Sequence, residues 1–138
     1  MDAVLVDSGP LVALFDGSDD NHARCVEWLS RWHGALLTTP AVITEVTHIL
    51  GRRCGPGCPV DFVSWAAQGL TCDGGTHEDL PRIAAIMAKY QDLPADFADA
   101  SLVALAERRA LYDVISVDDD FTVYCAAARR RFHNLLLG

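Results

Sequence analysis

Long hydrophobic runs and positive charge are scarce in this sequence, and we expect no N-terminal leader. No apolar run approaches the length of a membrane span, and Met1-Asp2 leads at once into an apolar segment, without the basic region and cleavage site of a signal peptide. We therefore expect a cytoplasmic protein. Eleven Lys and Arg residues stand against nineteen Asp and Glu residues, a formal net charge of −8. That balance alone argues against nucleic-acid binding.

Cysteine is present but follows no regular pattern. The five cysteines are odd in number and widely scattered, which suits reduced thiols better than a disulfide framework. With 138 residues, 51% of them hydrophobic, and a mean hydropathy of +0.17, the chain is long enough to bury a core without disulfides. No repeat, linker or low-complexity segment divides it. We expect a single domain over residues 1–138.

The hydrophobic pattern alternates between short strands and longer helices. Strands are predicted at 3–6, 35–38, 70–72 and 114–117, the first of them buried, with an edge strand at 134–137. Helices are predicted near 21–32, 40–53, 60–68, 78–90 and 96–109. Thr39 should cap the second of these, and the Gly- and Pro-rich segment 54–59 should be irregular. This alternation predicts an α/β fold, a three-layer α/β/α domain with a mostly parallel sheet of four to five strands.

Acidic residues occur where strands end and inside apolar helices. Asp7 follows the first predicted strand and Asp118 the fourth, so both carboxylates open on one edge of the sheet if these strands are neighbours. Glu45 lies about a turn and a half into an apolar helix, and Asp96 and Asp99 share one face of a later helix. Like charges that converge in this way repel each other unless a cation holds them.

The predicted cluster consists of oxygen ligands alone. Carboxylates without partnering His or Cys are the ligands that Mg²⁺ or Mn²⁺ prefers. Such an ion can activate a bound water and neutralise the charge that builds on a phosphodiester. Cys54 and Cys58, with His48 nearby, lack the fourth ligand that a structural zinc site needs. The sequence therefore predicts a site for a hard divalent cation.

Four short segments carry a family resemblance. They are residues 4–8 (VLVDS), 39–46 (TPAVITEV), 96–107 (DFADASLVALAE) and 115–121 (ISVDDDF). In this order and at these distances they closely resemble PIN-domain ribonucleases, particularly the toxins of VapBC toxin–antitoxin pairs, and the resemblance covers essentially the whole chain. It implies a PIN-like fold and Mg²⁺- or Mn²⁺-dependent endonucleolytic cleavage of RNA.

The resemblance also assigns site residues. The metal-binding, catalytic acids of the family correspond here to Asp7, Glu45, Asp99 and Asp118. Ser8 and Ser116 would support them as polar neighbours. Asp96 could be a further ligand, a proton carrier or only the N-cap of its helix. Asp120 competes with Asp118 for the last position, and Asp118 is favoured because it directly follows the strand.

The few basic residues are clustered at Arg52-Arg53, Arg108-Arg109 and Arg129-Arg130-Arg131. Taken singly, each cluster fits arginines that complement the dipole at a helix end and stay in solvent. Arg52 and Arg53 are nevertheless the candidates for contacting RNA phosphates, because they end the helix that carries Glu45. The resemblance implies a homodimer and a VapB-like antitoxin whose C-terminal segment covers the site. The alternative is a non-catalytic PIN-like module that binds RNA or a protein, with its acids serving as caps and turns.

Overall fold

Strands and helices alternate along the chain, as predicted. The computed structural model describes residues 2–93, 95–118, 121, 124 and 130–136. Its strands are β1 (Ala3–Val6), β2 (Ala35–Thr38), β3 (Thr71–Cys72), β4 (Asp113–Ile115) and β5 (His133–Asn134). Its α-helices are α1 (Ser8–Phe15), α2 (His22–Arg31), α3 (Pro40–Cys54), α4 (Gly57–Gly69), α5 (Leu80–Lys89) and α6 (Phe97–Arg109), with a 3-10 turn at His77–Asp79.

The five described strands form one parallel sheet in the order β3-β2-β1-β4-β5. Leu5 of β1 pairs with Leu37 of β2 on one side and Val114 of β4 on the other. Val4, Leu5 and Val6 of β1 are buried, so both faces of this strand are covered, as expected for a central parallel strand. Because the strands are parallel, their carboxyl ends meet at one edge of the sheet. The residues that follow β1 and β4 are therefore neighbours.

Helices cover both faces of this sheet. α1 packs against α2 and α3, and α3 packs against α4, whereas α5 packs against α6. For this strand order, the general rule of right-handed crossovers assigns α1 to α4 to one face and α5 and α6 to the other. α3 also contacts α6, so the helices that carry Glu45 and Asp99 approach each other. Within the described residues, no helix combines the length and apolar character needed to cross a membrane.

Side-chain caps fix the starts of α3 and α6. Thr39 Oγ1 accepts a hydrogen bond from the N–H of Val42 at 3.3 Å, with Pro40 at the first helical position. The predicted cap is confirmed. Asp96 Oδ1 accepts a hydrogen bond from the N–H of Asp99 at 2.9 Å. Of the roles left open for Asp96, that of N-cap is therefore seen directly, and such caps satisfy N–H groups that the first turn of a helix leaves without partners.

Three predicted boundaries differ in the structure. α4 begins at Gly57, inside the segment expected to be irregular, because Pro59 falls in its first turn, where no intrahelical partner is lost. β4 ends at Ile115 rather than at residue 117, since the N–H of Ser116 donates to the Asn134 side chain at 3.2 Å. The last strand is His133–Asn134 instead of 134–137. Asp120 lies outside the described residues.

Candidate active site

Asp7 is a buried carboxylate at the carboxyl end of β1. Only 3% of its surface is exposed, and it is the N-cap of α1, its Oδ1 accepting a 2.8 Å hydrogen bond from the N–H of Ser8. The N–H of Asp7 donates to the carbonyl of Ile115 at 3.1 Å. The backbone thus holds Asp7 against the end of β4, where sequence analysis predicted the second strand-end acid.

Ser116 joins Asp7 to Asp118. Its Oγ lies 3.0 Å from Oδ2 of Asp7 and 3.3 Å from Oδ1 of Asp118. A hydroxyl has one proton, so it can donate to only one of these carboxylates at a time. The Asp118 N–H also approaches Ser116 Oγ at 3.5 Å. The two acids predicted to share the sheet edge do so, with one hydroxyl between them.

Gly9 permits this close approach. A Cβ atom at Gly9 would collide with Cγ2 of Val117, the residue between Ser116 and Asp118. Val117 is β-branched and stiff, so it cannot easily move aside. A larger residue at position 9 would push the segment that carries Ser116 and Asp118 away from α1 and Asp7.

Ser8 links Asp7 to Glu45. While the Ser8 backbone donates to Asp7, its Oγ donates to Oε1 of Glu45 at 2.7 Å. Glu45 is half-buried on α3, and Asp96 at the start of α6 is close enough for its negative charge to act on it. Three of the four predicted metal-binding acids are therefore connected, in pairs, through the two predicted serines.

Among the described residues, Asp99 is bound by Tyr124 and not by either of the two serines. It lies half-buried in the first turn of α6, and the hydroxyl of Tyr124 donates to its Oδ2 at 3.2 Å. Tyr124 is itself buried, with edge-to-face contacts to Tyr90 and Phe121 at ring-centroid distances of 5.0 and 5.2 Å. The ring cluster thus orients the carboxylate of Asp99.

Burial and neighbouring negative charges raise the pKa values of Asp7 and Glu45. Burial raises the pKa of Asp7 from 3.8 to about 7, against the hydrogen bonds from Ser8 and Ser116, and the charges of Asp118 and Glu45 raise it further. Burial likewise raises the pKa of Glu45; the Ser8 hydrogen bond opposes this and Asp96 adds to it. Near neutral pH, Asp7 in the metal-free protein is poised between its charged and uncharged forms.

The donor set matches a hard divalent cation. Among the residues that the structure describes, no Lys or Arg forms an ion pair with Asp7 or Glu45. No three His, Cys, Asp or Glu side chains in this part of the chain are gathered closely enough to form a ready metal site. Asp7 is instead linked to Asp118 through the Ser116 hydroxyl, and to Glu45 through the N–H and the hydroxyl of Ser8. Mg²⁺ keeps several waters and binds through one or two carboxylates plus substrate phosphates, so a pair such as Asp7 and Asp118 suits it.

The comparison with known families decides the classification. The family model described as the PIN domain matches residues 4–127. The chain belongs to the PIN-domain family. The matched range contains all four predicted acids, from Asp7 after β1 to Asp118 after β4. The resemblance seen in the four sequence segments is therefore confirmed.

Several characterised proteins are similar to this PIN domain. Ribonuclease VapC26 of Mycobacterium tuberculosis is 28% identical over 117 residues, which cover 83% of this chain and 86% of that protein. The crystal structure of VapC20 of Mycobacterium tuberculosis, a Sarcin-Ricin loop cleaving toxin, gives a TM-score of 0.80 at 18% identity, over 85% of this chain and 91% of that one. VapBC2 from Rickettsia felis, bound to a DNA fragment from their promoter, gives 0.67 at 9% identity, over 96% and 98%. These structures share the fold of this PIN domain.

Asn134 is a site-supporting residue that sequence analysis missed. Its Oδ1 accepts from the N–H groups of Ser116 and Leu136 at 3.2 and 3.1 Å, and its Nδ2 donates to the Ser116 carbonyl at 2.9 Å. Asn134 thus fixes both backbone groups of the serine that bridges Asp7 and Asp118. The two residues lie 18 positions apart, and no sequence pattern connects them.

A buried hydroxyl pair joins the helices that carry Glu45 and Asp99. Thr39 Oγ1 and Ser101 Oγ are 2.7 Å apart, and Ser101 also donates to the Ala98 carbonyl at 2.7 Å. Both side chains are almost fully buried, where such a bond resists separation because a lost partner leaves a polar group unsatisfied. In this PIN domain the pair holds the start of α3 against α6.

The arginines proposed to contact RNA differ in their surroundings. Arg53 pairs with Asp19 at 3.0 Å and with Asp16 at 3.4 Å, so its charge is shared with two acids of the α1–α2 connection. Arg52 is exposed, and it forms no ion pair with any described residue. Arg109 pairs with Asp73 at 2.6 Å. Of the two candidates, Arg52 is the one with its charge available.

Proposed function

We propose that this PIN domain is a divalent-metal-dependent endoribonuclease and the toxin of a type II toxin–antitoxin pair. The observation that carries the proposal is the hydrogen-bonded series Asp118–Ser116–Asp7–Ser8–Glu45 at the carboxyl edge of a parallel sheet. Ligands bind at this edge in open α/β folds. A buried acid with a pKa of about 7 and acidic neighbours has the electrostatics of a site built for a cation.

Each acid has a part in the proposed chemistry. Asp7, Glu45, Asp99 and Asp118 would hold one or two Mg²⁺ or Mn²⁺ ions. The metal supplies a bound water of lowered pKa and positive charge at the phosphodiester. Ser8 and Ser116 orient the carboxylate oxygens, and Tyr124 orients Asp99. Asp96 caps α6, and its negative charge adds to the burial that raises the pKa of Glu45. Both a positioning role and a proton-carrying role for Asp96 are consistent with these contacts.

The products follow from water as the nucleophile. Attack of water on the phosphorus breaks the bond to the 3′ oxygen, which leaves with a proton. The phosphate stays on the downstream fragment. The cut RNA should therefore carry 5′-phosphate and 3′-hydroxyl ends.

The named relatives support the substrate class and the partner. A relative 28% identical is named a ribonuclease, and a structural neighbour is described as cleaving the Sarcin-Ricin loop. Two structural neighbours are toxin–antitoxin assemblies: VapBC2 of Rickettsia felis and a complex from Klebsiella pneumoniae. The Klebsiella complex gives a TM-score of 0.62 at 16% identity, over 85% of this chain and 88% of that one. We therefore propose a VapB-like antitoxin that covers the acids, a homodimer, and a cytoplasmic site of action.

Cleavage of a mixed RNA pool by the purified protein tests this function. The wild type should cut RNA with Mn²⁺ or Mg²⁺ and stop when EDTA is in excess. Asp99→Asn should remain folded and lose cleavage by at least about 100-fold, a typical cost of removing one catalytic electrostatic group.

Asp113→Asn is the matched control. It makes the same substitution at the opposite end of β4, where Asp113 faces His133 at 3.5 Å, and it should cut RNA as the wild type does. Full activity in EDTA, or in Asp99→Asn, would contradict the proposed mechanism. RNA binding without cleavage under every metal condition would favour the non-catalytic alternative.

A further inference from the structure

A cleft of about 440 Å³ opens beside the acids, between α3 and the start of α6. Ala41, Glu45 and His48 line it from α3, and Phe97 and Ala98 line it from α6. The two alanines leave room in the cleft, while Phe97 is 41% exposed. An aromatic ring thus stands uncovered at the first position of the helix that carries Asp99.

The cleft is continuous with the proposed catalytic edge through Glu45. Glu45 lines the cleft, and its Oε1 accepts a hydrogen bond from the hydroxyl of Ser8, whose N–H donates to Asp7. We therefore expect an RNA strand with its scissile phosphate at Asp7 to place an adjacent nucleotide beside the cleft.

The charge in the cleft selects which part of a nucleotide can enter. Glu45 and Asp96 both line it, so two carboxyl groups border the cleft. No Lys or Arg lines the cleft among the described residues. A phosphate would be repelled there, whereas a neutral base would not. Bases flipped away from their neighbours stack well on aromatic side chains, largely independently of sequence.

We propose that this cleft is a nucleobase subsite, in which one base of single-stranded RNA beside the cut bond stacks on Phe97. The inference rests on the proposed ribonuclease function and names the part of the RNA that the site grips. Thr44 also lines the cleft, and its hydroxyl proton is directed to the Pro40 carbonyl at 3.0 Å. Its oxygen remains free to accept from a base N–H. His48 at the outer wall can donate or accept through its ring nitrogens.

RNA binding by cleavage-impaired protein tests the subsite directly. In an Asp99→Asn background with Mn²⁺, Phe97→Ala should weaken the affinity for a short fluorescein-labelled RNA of mixed sequence about 5- to 150-fold, the range measured for one base–aromatic stack. Phe97→Trp should retain most of the affinity. Leu80→Ala is the matched control, because Leu80 also begins its helix, is 41% exposed and lies outside the cleft. It should bind like the background.

Cleavage kinetics give a second readout. Without the Asp99 substitution, Phe97→Ala should raise KM and leave kcat nearly unchanged, since the ring contributes to binding and not to bond breaking. The subsite would be refuted if RNA bound equally well to Phe97→Ala, Phe97→Trp and the Leu80 control. The cleft would then be a candidate contact site for a protein partner. Phe97-dependent binding without cleavage by the wild type would support the subsite while refuting the nuclease.

Discussion

Replacement of Asp7 by Asn should stabilise the metal-free protein at neutral and alkaline pH. In the folded chain the pKa of Asp7 is about 7, compared with an ordinary value of 3.8, mainly because the carboxyl is buried. The folded state therefore binds the proton more tightly than the unfolded state does. By linkage, the wild type loses stability as the pH rises from about 4 to about 7.

The interval between these two pKa values corresponds to about 4 kcal/mol in the free energy of unfolding. Asp7→Asn removes the charge and keeps both contacts, because the amide oxygen can accept from the Ser8 N–H and the amide nitrogen can donate to Ser116 Oγ. At pH 8 the variant should exceed the wild type by a few kcal/mol, with about 4 kcal/mol as the upper bound. Near pH 4 the two proteins should be nearly equal.

Urea denaturation in EDTA across this pH range measures the difference. Asp113→Asn, which removes one charge from a half-exposed aspartate at the other end of β4, controls for net charge and should lack the gain. Adding Mn²⁺ at pH 8 should raise the stability of the wild type and raise that of Asp7→Asn much less, because the ion binds only the folded acid cluster. Equal unfolding free energies of wild type and Asp7→Asn from pH 4 to pH 8 in EDTA would refute the reasoning.

Substitutions at three further positions have distinct expected outcomes. Gly9→Ala should lower the unfolding free energy by about 1–3 kcal/mol through overpacking against Val117; an unchanged urea midpoint would mean that this segment moves freely. Asn134→Ala should weaken Mn²⁺ binding in calorimetry about 10- to 100-fold, as outer supports of metal ligands do, and Asn134→Asp should fail to restore it because a carboxylate cannot donate to the Ser116 carbonyl. Arg52→Glu should reduce the slope of log affinity for RNA against log salt by about 1; an unchanged slope would assign Arg52 to solvation.

The strand-end acids could be predicted because local signals determine their position. Asp7 ends an apolar run that can only be a buried strand, and Asp118 follows another. Parallel pairing of β1 with β4 then brings the two carboxylates to one edge. Thr39 before Pro40 is a similarly local signal, and it predicted the start of α3 correctly. The apolar surroundings of Glu45 and Asp99 distinguished them among nineteen acidic residues, and the family resemblance added their role as metal-binding acids.

Ser8 and Ser116 were predicted as supports of these acids, but Tyr124 and Asn134 could not be, because they depend on contacts between distant segments. Tyr124 reaches Asp99 across 25 positions and Asn134 reaches Ser116 across 18, and neither lies in a periodic pattern. The same holds for Arg53, whose two acidic partners lie 34 and 37 positions earlier. Only the folded chain shows that this arginine is engaged while Arg52 remains available.

The end groups of cleaved RNA test the central claim most directly. Wild-type protein with Mn²⁺ should produce fragments with 5′-phosphate and 3′-hydroxyl ends, identified by ligation-dependent sequencing with and without phosphatase, and Asp118→Asn should produce none above background. Fragments ending in 2′,3′-cyclic phosphate, or equal cutting by Asp118→Asn, would contradict hydrolysis by a water that the acid cluster and its metal activate.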